Sequence, residues 1–326
     1  MKKNLKLMYT AIAVLVLILA LTLMNKTPQK APIRDEVDQS QKINTMMMLI
    51  EFEEIDGVLQ WEKELDSRGL TAMIKVQDNV LEANPEAFKR MSDKGYEIAG
   101  GYDVAPFWDM PYKEQYDHLK AAKELVESIT NKKMKVFGSR YFAYDENTLK
   151  AAAELGIEYI LARGTHDVSA VIYSPSEYPS KIISVSNVDV GEMGKGSLCD
   201  YSLWARGSSP EDFGIIINES IAKNPENMII VSHSYLGGTR LAWWKEYEKA
   251  LESDRLNWQG FPDWVNSQEF IYANNADIPV NTEVKYVAPN PEKGIEAYEV
   301  VPGLEYLTKD MGSGNTEITP DEMLCQ

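Results

Sequence analysis

Residues suited to acid–base or metal chemistry follow several predicted strands of this chain. Glu53 and Glu54 follow an early apolar run, His166 and Asp167 follow a middle one, and His233 follows a late one. Carboxylates and imidazoles transfer protons near neutral pH, and both can bind a metal ion. The plainer interpretations stay open at this point: two mutually repelling surface acids, and a histidine with a structural role.

Short strands alternate with helices from about residue 46 to residue 253. Apolar runs such as Met46–Phe52 and Leu70–Val76 are typical of buried strands, and Asn84 and Asp145 are typical helix caps. This alternation predicts a parallel sheet, and about seven β/α units predict a barrel closed on itself. In such a barrel the reactive groups lie at the carboxyl ends of the strands, where the candidates above are found.

The N-terminal segment predicts a membrane anchor. Lys2, Lys3 and Lys6 precede the uncharged and largely apolar run Leu7–Met24. This run is just long enough to cross the hydrocarbon core as a helix. A cleaved signal peptide is the alternative, but no clear cleavage site follows. The basic flank places the N-terminus inside, so the bulk of a single-pass cell-membrane protein is expected outside the cytoplasm.

Charge and cysteine content exclude some classes of protein. The 326 residues carry a formal net charge of −17, and the excess acid lies after the N-terminal segment. Because such a surface repels phosphates, a role in binding nucleic acid is excluded. Cys199 and Cys325 are the two cysteines, which rules out a disulfide-rich scaffold. They could pair, or both could be free thiols.

Composition divides the chain into five predicted segments. These are an anchor (1–24), a polar tether (25–44), the barrel (45–255), an extension (256–308) and a polar tail (309–326). The extension is turn-rich and aromatic, and it is expected to contain a hairpin near Glu283–Tyr286 and Glu296–Val301.

The stretch from Gly95 to Leu161 carries a recognisable order of motifs. It reads GYEIAGG, a helical run, VFGSRY, DENTL and then LGIEYIL. This order and spacing resembles the polysaccharide deacetylases, the NodB-homology family of zinc-dependent carbohydrate de-N-acetylases. The resemblance covers roughly residues 46–252. It implies a distorted (β/α) barrel that acts on, or binds, a cell-envelope polysaccharide.

The resemblance assigns roles to individual positions, and several of them have lost their side chains. Ile50–Glu54 is similar to the family's L-T-F-D-D, so Glu53 stands at the catalytic base and Glu54 at a zinc ligand. The family's H-x-x-x-H falls on Gly101–Ala105, where neither end can bind a metal. Asp103, between them, could supply one oxygen.

Two further motifs complete the implied site. The family's R-x-P-Y falls on Gly138–Tyr141, so the arginine is lost, and the backbone N–H of Tyr141 is the expected oxyanion donor. Arg140 either replaces the lost guanidinium in part or is a surface arginine. His233 matches the family's general acid.

Aromatic side chains near the predicted mouth could stack on the C–H faces of sugars. Phe107 and Trp108 lie in a mouth loop and, with Tyr235, are the predicted substrate-binding residues alongside Arg140. A large aromatic core is the alternative, and it is preferred for Trp243–Trp244.

These observations predict a membrane-anchored protein that binds cell-envelope glycan after losing the family's zinc catalysis. No cofactor is expected, and zinc could bind only through a non-standard site that includes Glu54 and Asp103. One alternative is an active hydrolase of non-peptide carbon–nitrogen bonds that uses a rearranged site. The other is a structural or protein-interaction ectodomain.

Overall fold

The computed structural model describes residues 41–108, 110–164, 167–278 and 291–304. Its strands are β1 (Ile43–Glu51), β2 (Met73–Gln77), β3 (Glu97–Tyr102), β4 (Val136–Ser139), β5 (Tyr159–Ala162), β6 (Val171–Pro175), β7 (Lys181–Ser184), β8 (Asn187–Asp189), β9 (Lys195–Ser197), β10 (Asn227–His233), β11 (Leu256–Trp258) and β12 (Phe270–Ala273). Its α-helices are α1 (Asp56–Ser67), α2 (Asp78–Ala83), α3 (Pro85–Asp93), α4 (Tyr112–Thr130), α5 (Glu146–Leu155), α6 (Asp200–Trp204), α7 (Pro210–Ala222), α8 (Leu241–Leu251) and α9 (Phe261–Asn266).

One large sheet organises the fold, in the order β10-β1-β2-β3-β4-β5-β7-β6-β12, with β11 pairing with the start of β1. Its strand pairs are parallel, except that β6 runs antiparallel to β7. The predicted parallel α/β sheet is therefore confirmed.

The barrel is not closed by strand pairing, which corrects the expectation of a sheet closed on itself. Among the described residues, the sheet ends at β10 on one side and at β12 on the other. The segment between β7 and α6 spans the gap instead. The Val231 N–H donates to the Leu198 carbonyl at 3.0 Å, and the Ile229 N–H donates to Ser186 Oγ at 2.9 Å. The result is a half-barrel with an irregular wall.

The sheet is buried on both faces, and β1 shows how the side chains divide. Met46, Met48 and Ile50 belong to an inner cluster, whereas Met47 and Leu49 pack in the layer between sheet and helices. This follows from the two-residue period of a strand. A strand covered on both faces reads as a continuous apolar run, which is why it could be recognised from sequence.

Two helix starts match their sequence signals. Asp145 and Thr148 cap α5 reciprocally: the Thr148 N–H donates to the Asp145 side chain, and the Asp145 N–H donates to Thr148 Oγ1, both at 3.0 Å. Ser209 and Asp212 cap α7 in the same way, whereas Asn84, the other predicted cap, precedes α3 without a side-chain cap hydrogen bond. Such caps are local in sequence, so they are readable before the fold is known.

The region after residue 255 belongs to the same compact unit as the barrel. β11 pairs with β1, β12 pairs with β6, and Phe261 and Trp264 of α9 sit in the inner cluster. Residues 256–278 are thus part of the half-barrel rather than an extension of it. Of the predicted hairpin, Glu283–Tyr286 lies outside the described residues, and the other arm contains a 3-10 turn at Ile295–Ala297.

In the described ranges no helix is both long enough and apolar enough to cross a membrane. The predicted span Leu7–Met24 lies outside those ranges, as do His166 and Cys325. Cys199 is described, and it is a buried free thiol.

Candidate functional site

The loop after β1 is held in place by a buried carboxyl group. Glu51 Oε1 accepts hydrogen bonds from the backbone N–H groups of Phe52, Glu53 and Glu54 at 2.9, 2.8 and 3.2 Å. The hydroxyl of Ser234 donates to the other oxygen of Glu51. Burial raises the pKa of Glu51 to about 8, against the opposing effect of these hydrogen bonds. The loop that carries the two predicted site glutamates is therefore pinned to the end of β10.

Glu53 and Glu54 have different surroundings. Glu54 is exposed, whereas Glu53 is half-buried and its Oε1 has no hydrogen-bond partner among the described residues. Burial, and to a lesser degree the charge of Glu54, raises the pKa of Glu53 to about 7. Glu53 can therefore gain or lose a proton near neutral pH, as its predicted role requires.

A lysine fills the space next to the positions where the family has a zinc histidine and an arginine. The side chain of Lys75 is 1% exposed, points into the half-barrel from β2 and forms an ion pair with Asp103. A Cβ added to Gly101 would lie 3.3 Å from Lys75 Cγ and 2.8 Å from the Val76 carbonyl oxygen. A Cβ added to Gly138 would lie 3.2 Å from Lys75 Cδ. The side chain of Lys75 thus occupies space that larger residues at positions 101 and 138 would need.

The residues at this point do not fit the family's zinc ion. A catalytic zinc needs about three protein ligands, and Gly101 and Ala105 offer no ligand atom. Asp103 is engaged by the ammonium of Lys75, whose positive charge would also repel a divalent cation. Asp103 and Glu54 do not belong to any group of metal-ligating side chains in the described ranges. The sequence analysis missed this lysine, although a lysine inside an apolar strand run is a signal that could have pointed to it.

His233 lies in a cluster that the sequence did not predict. Its Nδ1 is 3.1 Å from Cys199 Sγ and 3.6 Å from Asp200 Oδ1, and its backbone N–H donates to the same oxygen at 2.8 Å. The imidazole is 15% exposed. It packs against the rings of Tyr201, at a centroid distance of 4.8 Å, and Phe52, at 6.0 Å.

The cluster orients the histidine. The ligand atoms of Cys199, Asp200 and His233 lie within 4.8 Å of one another, which is close enough to hold a metal ion. Asp200, however, already accepts hydrogen bonds from the N–H groups of His233 and Tyr201 and from the hydroxyl of Ser232. Burial raises the pKa of the Cys199 thiol well above its usual range, so it stays protonated. We interpret the arrangement as a hydrogen-bonded support that fixes the ring of His233 at the mouth.

Two of the predicted sugar-stacking residues are buried. Phe107 packs in the core against Tyr102, His118 and Phe137. Tyr235 is 4% exposed, and its hydroxyl has no partner among the described residues. Neither ring presents a face to solvent, so the prediction that they stack on a glycan is wrong. The loop after β3 turns inward, and Tyr235 lies in a one-turn π-helix (Ser234–Gly238) packed against α1.

Trp108 remains a candidate, and the predicted core tryptophans are confirmed. Trp108 is half-buried, and its Nε1 lacks a partner within the described ranges. Trp243 and Trp244 are buried on α8.

Tyr141 presents an exposed ring at the end of β4. Tyr141 and Phe142 both adopt left-handed backbone conformations, with φ of 58° and 54°. Non-glycine residues adopt this conformation at a cost of about 1–3 kcal/mol each, and such strain clusters at functional loops. Tyr141 is 40% exposed, and the guanidinium carbon of Arg140 lies 5.2 Å from the centre of its ring. Because Arg140 Nη1 donates to the Val104 carbonyl at 2.9 Å, it is a rim arginine and does not take the place of the missing one.

Comparisons with known proteins identify similarities in part of the sequence and in the fold. Residues 60–160 match the family model described as polysaccharide deacetylase. No curated protein matches the chain. Among solved structures, Puue allantoinase is 14% identical, with a TM-score of 0.55 over 69% of this chain and 90% of that one. A probable polysaccharide deacetylase from Pseudomonas aeruginosa PAO1 is 15% identical, with a TM-score of 0.54 over 68% and 90%.

At these identities the solved structures establish the fold, and the family model covers the stretch that contains β3, β4 and the altered motifs. Residues 60–160 thus carry the sequence pattern of the polysaccharide deacetylase family on that family's α/β fold, in a divergent form that lacks its zinc-binding histidines.

Proposed function

We propose that this protein binds cell-envelope glycan at the mouth of a polysaccharide deacetylase-like half-barrel and no longer carries out the family's zinc chemistry. The observation that carries the proposal is the buried Lys75–Asp103 ion pair beside Gly101 and Gly138. The ammonium group of Lys75 now lies next to the positions where the family has metal ligands. Anchoring through Leu7–Met24, with the half-barrel outside the cytoplasm, is part of the proposal.

The mouth keeps groups that suit a sugar ligand. Tyr141 offers an exposed aromatic face, and the half-buried side chain of Glu53 adds a carboxyl group. Sugars combine apolar C–H faces with hydroxyls, so a ring and a carboxylate are complementary to them.

A second candidate function is hydrolysis of a carbon–nitrogen bond without the family's metal. Two observations favour it: burial raises the pKa of Glu53 to about 7, and the imidazole Nδ1 of His233 lies 3.1 Å from Cys199 Sγ, which orients the ring. The mouth therefore keeps one carboxyl group, that of Glu53, and one imidazole, that of His233. Of the other groups considered for a rearranged site, Asp103 is bound by Lys75, and Asp167 lies 3.8 Å from the ammonium of Lys223.

Metal content tests the central claim. The full chain is purified in detergent micelles, dialysed against zinc and then against metal-free buffer, and its zinc is measured by mass spectrometry. We expect far less than one zinc per chain. Stoichiometric zinc that disappears in His233→Ala would show a metal site at Cys199 and Asp200 and would refute the proposal.

Glycan binding and turnover separate the remaining functions. We expect the full chain to bind purified cell-wall glycan, and Tyr141→Ala to weaken this binding. Tyr272→Ala is the matched control, because Tyr272 is 78% exposed on the edge strand β12. We expect no acetate release from N-acetylated oligosaccharides. Release that is lost in Glu53→Gln would favour the hydrolase, and an absence of glycan binding would leave a structural or interaction role.

A further inference from the structure

Two arginines lie side by side on the wall of the mouth. Arg163 directly follows β5, and Arg206 follows α6. A guanidinium nitrogen of each donates to the same oxygen, the carbonyl of Lys195 in β9, at 3.0 and 3.2 Å. One shared acceptor therefore holds two positive charges next to each other.

Within the part of the chain that the structure describes, no carboxylate forms an ion pair with either arginine. Arg163 is affected by the charge of Arg206 and by Tyr141, and Arg206 is affected by Cys199. Burial and the charge of Arg206 lower the pKa of Arg163 to about 10, and burial lowers that of Arg206 as well. Like charges that are partly buried without a counter-ion destabilise a fold. In a chain of net charge −17, acidic partners are plentiful, so an unbalanced pair points to a counter-ion from outside.

Arg206 is fixed in place before any ligand arrives. Its Nη1 donates to the Ser202 carbonyl at 2.7 Å and to Ser202 Oγ at 2.9 Å. Its Nε is buried and has no hydrogen-bond partner within the described ranges. Gly196 makes room for this side chain, because a Cβ there would lie 3.2 Å from the central guanidinium carbon. Because Arg206 is already ordered, a ligand that binds it pays little further free energy for fixing this side chain.

The pair is close to the exposed ring of the mouth. Strands β4 and β5 are neighbours in the sheet, and they lead into Tyr141 and Arg163 respectively. Arg140 covers part of the Tyr141 ring. An anionic group on a sugar that stacks against Tyr141 would therefore meet guanidinium groups.

We propose that Arg163 and Arg206 form an anion-binding subsite that takes the oxyanion substituent, a carboxylate or a phosphate, of an acidic envelope glycan. Guanidinium groups bind such oxyanions through planar, paired hydrogen bonds. The glycan part of this proposal rests on the proposed function, whereas the anion subsite stands on the arginine geometry alone.

The test compares acidic and neutral ligands on the full chain. Calorimetry measures binding of a tetrasaccharide of alternating glucuronate and N-acetylglucosamine, of neutral chitotetraose, and of glycerol phosphate. We expect the glucuronate ligand to bind about tenfold or more tightly than chitotetraose, the difference expected of one or two charge-assisted hydrogen bonds, and the difference to shrink with added salt. If glycerol phosphate binds more tightly than the glucuronate ligand and displaces it, phosphate is the preferred oxyanion.

Matched variants assign the effect to the arginines. Arg163→Gln and Arg206→Gln should each weaken binding of the acidic ligand about tenfold and leave the affinity for chitotetraose unchanged. Arg68→Gln is the control, because Arg68 is paired with Glu64 on α1. Equal affinity for acidic and neutral ligands in the wild type, or variants that bind like the wild type, would overturn the subsite.

A measurement on the wild type covers the case in which the variants fail to fold, and it separates the two proposals. Glucuronate and inorganic phosphate should raise the melting temperature above that in chloride of equal ionic strength. If they do so while no oligosaccharide binds, the subsite stands and the glycan function fails. If neither anion raises the melting temperature, the subsite is refuted even where glycan binding persists.

Discussion

Replacing Lys75 by methionine tests whether the buried ammonium holds the altered interior together. Methionine has a similar length, so the change removes the charge with little loss of volume. Asp103, which is 12% exposed, would lose its cation. Removing one partner of a buried pair costs about 3–5 kcal/mol, and the partial exposure of Asp103 places our expectation near the lower end, at about 3 kcal/mol.

The measurement is urea unfolding followed by tryptophan fluorescence, with a double-mutant cycle. Lys75→Met with Asp103→Asn should recover most of the loss, because no uncompensated charge is left. Lys89→Met is the matched control. Its partner Asp93 is on the surface, and the two side chains are 41% and 54% exposed, so no measurable change in the free energy of unfolding is expected. A Lys75→Met effect as small as that of the control, or additive single effects, would refute the reasoning.

Three further predictions concern the same mouth. Gly101→His, which restores the family's residue, should lower the free energy of unfolding by about 1–3 kcal/mol, because its Cβ would meet a backbone carbonyl at 2.8 Å; a melting temperature equal to the wild type would contradict this. Because the pKa of Glu53 is raised from 4.5 to about 7, the native state loses stability as the pH rises through that window. Glu53→Gln should therefore be more stable than the wild type at pH 8, by roughly 1–3 kcal/mol, and similar to it at pH 4, as compared by urea unfolding. In a Cys325→Ser background, Cys199 should react with a thiol reagent only after unfolding, and fast labelling of the native protein would show that the thiol is accessible.

Much of the fold could be predicted because its signals are local. The apolar run of β1, the reciprocal cap at Asp145 and the cap at Ser209 each depend on residues a few positions apart. The loss of the zinc ligands could also be read directly, since Gly101 and Ala105 have no side-chain donor whatever the tertiary structure. The weak elements were missed: β6, the β8–β9 hairpin and α6 are short and have little periodicity of their own.

The site was only partly predictable. Glu53 and His233 stand at the mouth because strand ends meet there, and that follows from alternation alone. The burial of Phe107 and Tyr235 could not be predicted, since an aromatic residue in a loop can face solvent or core, and the packing around it decides which.

The sequence by itself determined the α/β class, most of the helices and strands, and the absence of the family's zinc histidines. Only the tertiary structure decided what replaced them. Lys75 meets Asp103 across two strands, Asp200 reaches His233 across a gap in the sheet, and Arg163 shares a carbonyl with Arg206. The first two contacts join residues that are 28 and 33 positions apart, and the third is made through another segment, at Lys195. Their geometry depends on strand register and on how the half-barrel wall closes, which no local pattern encodes.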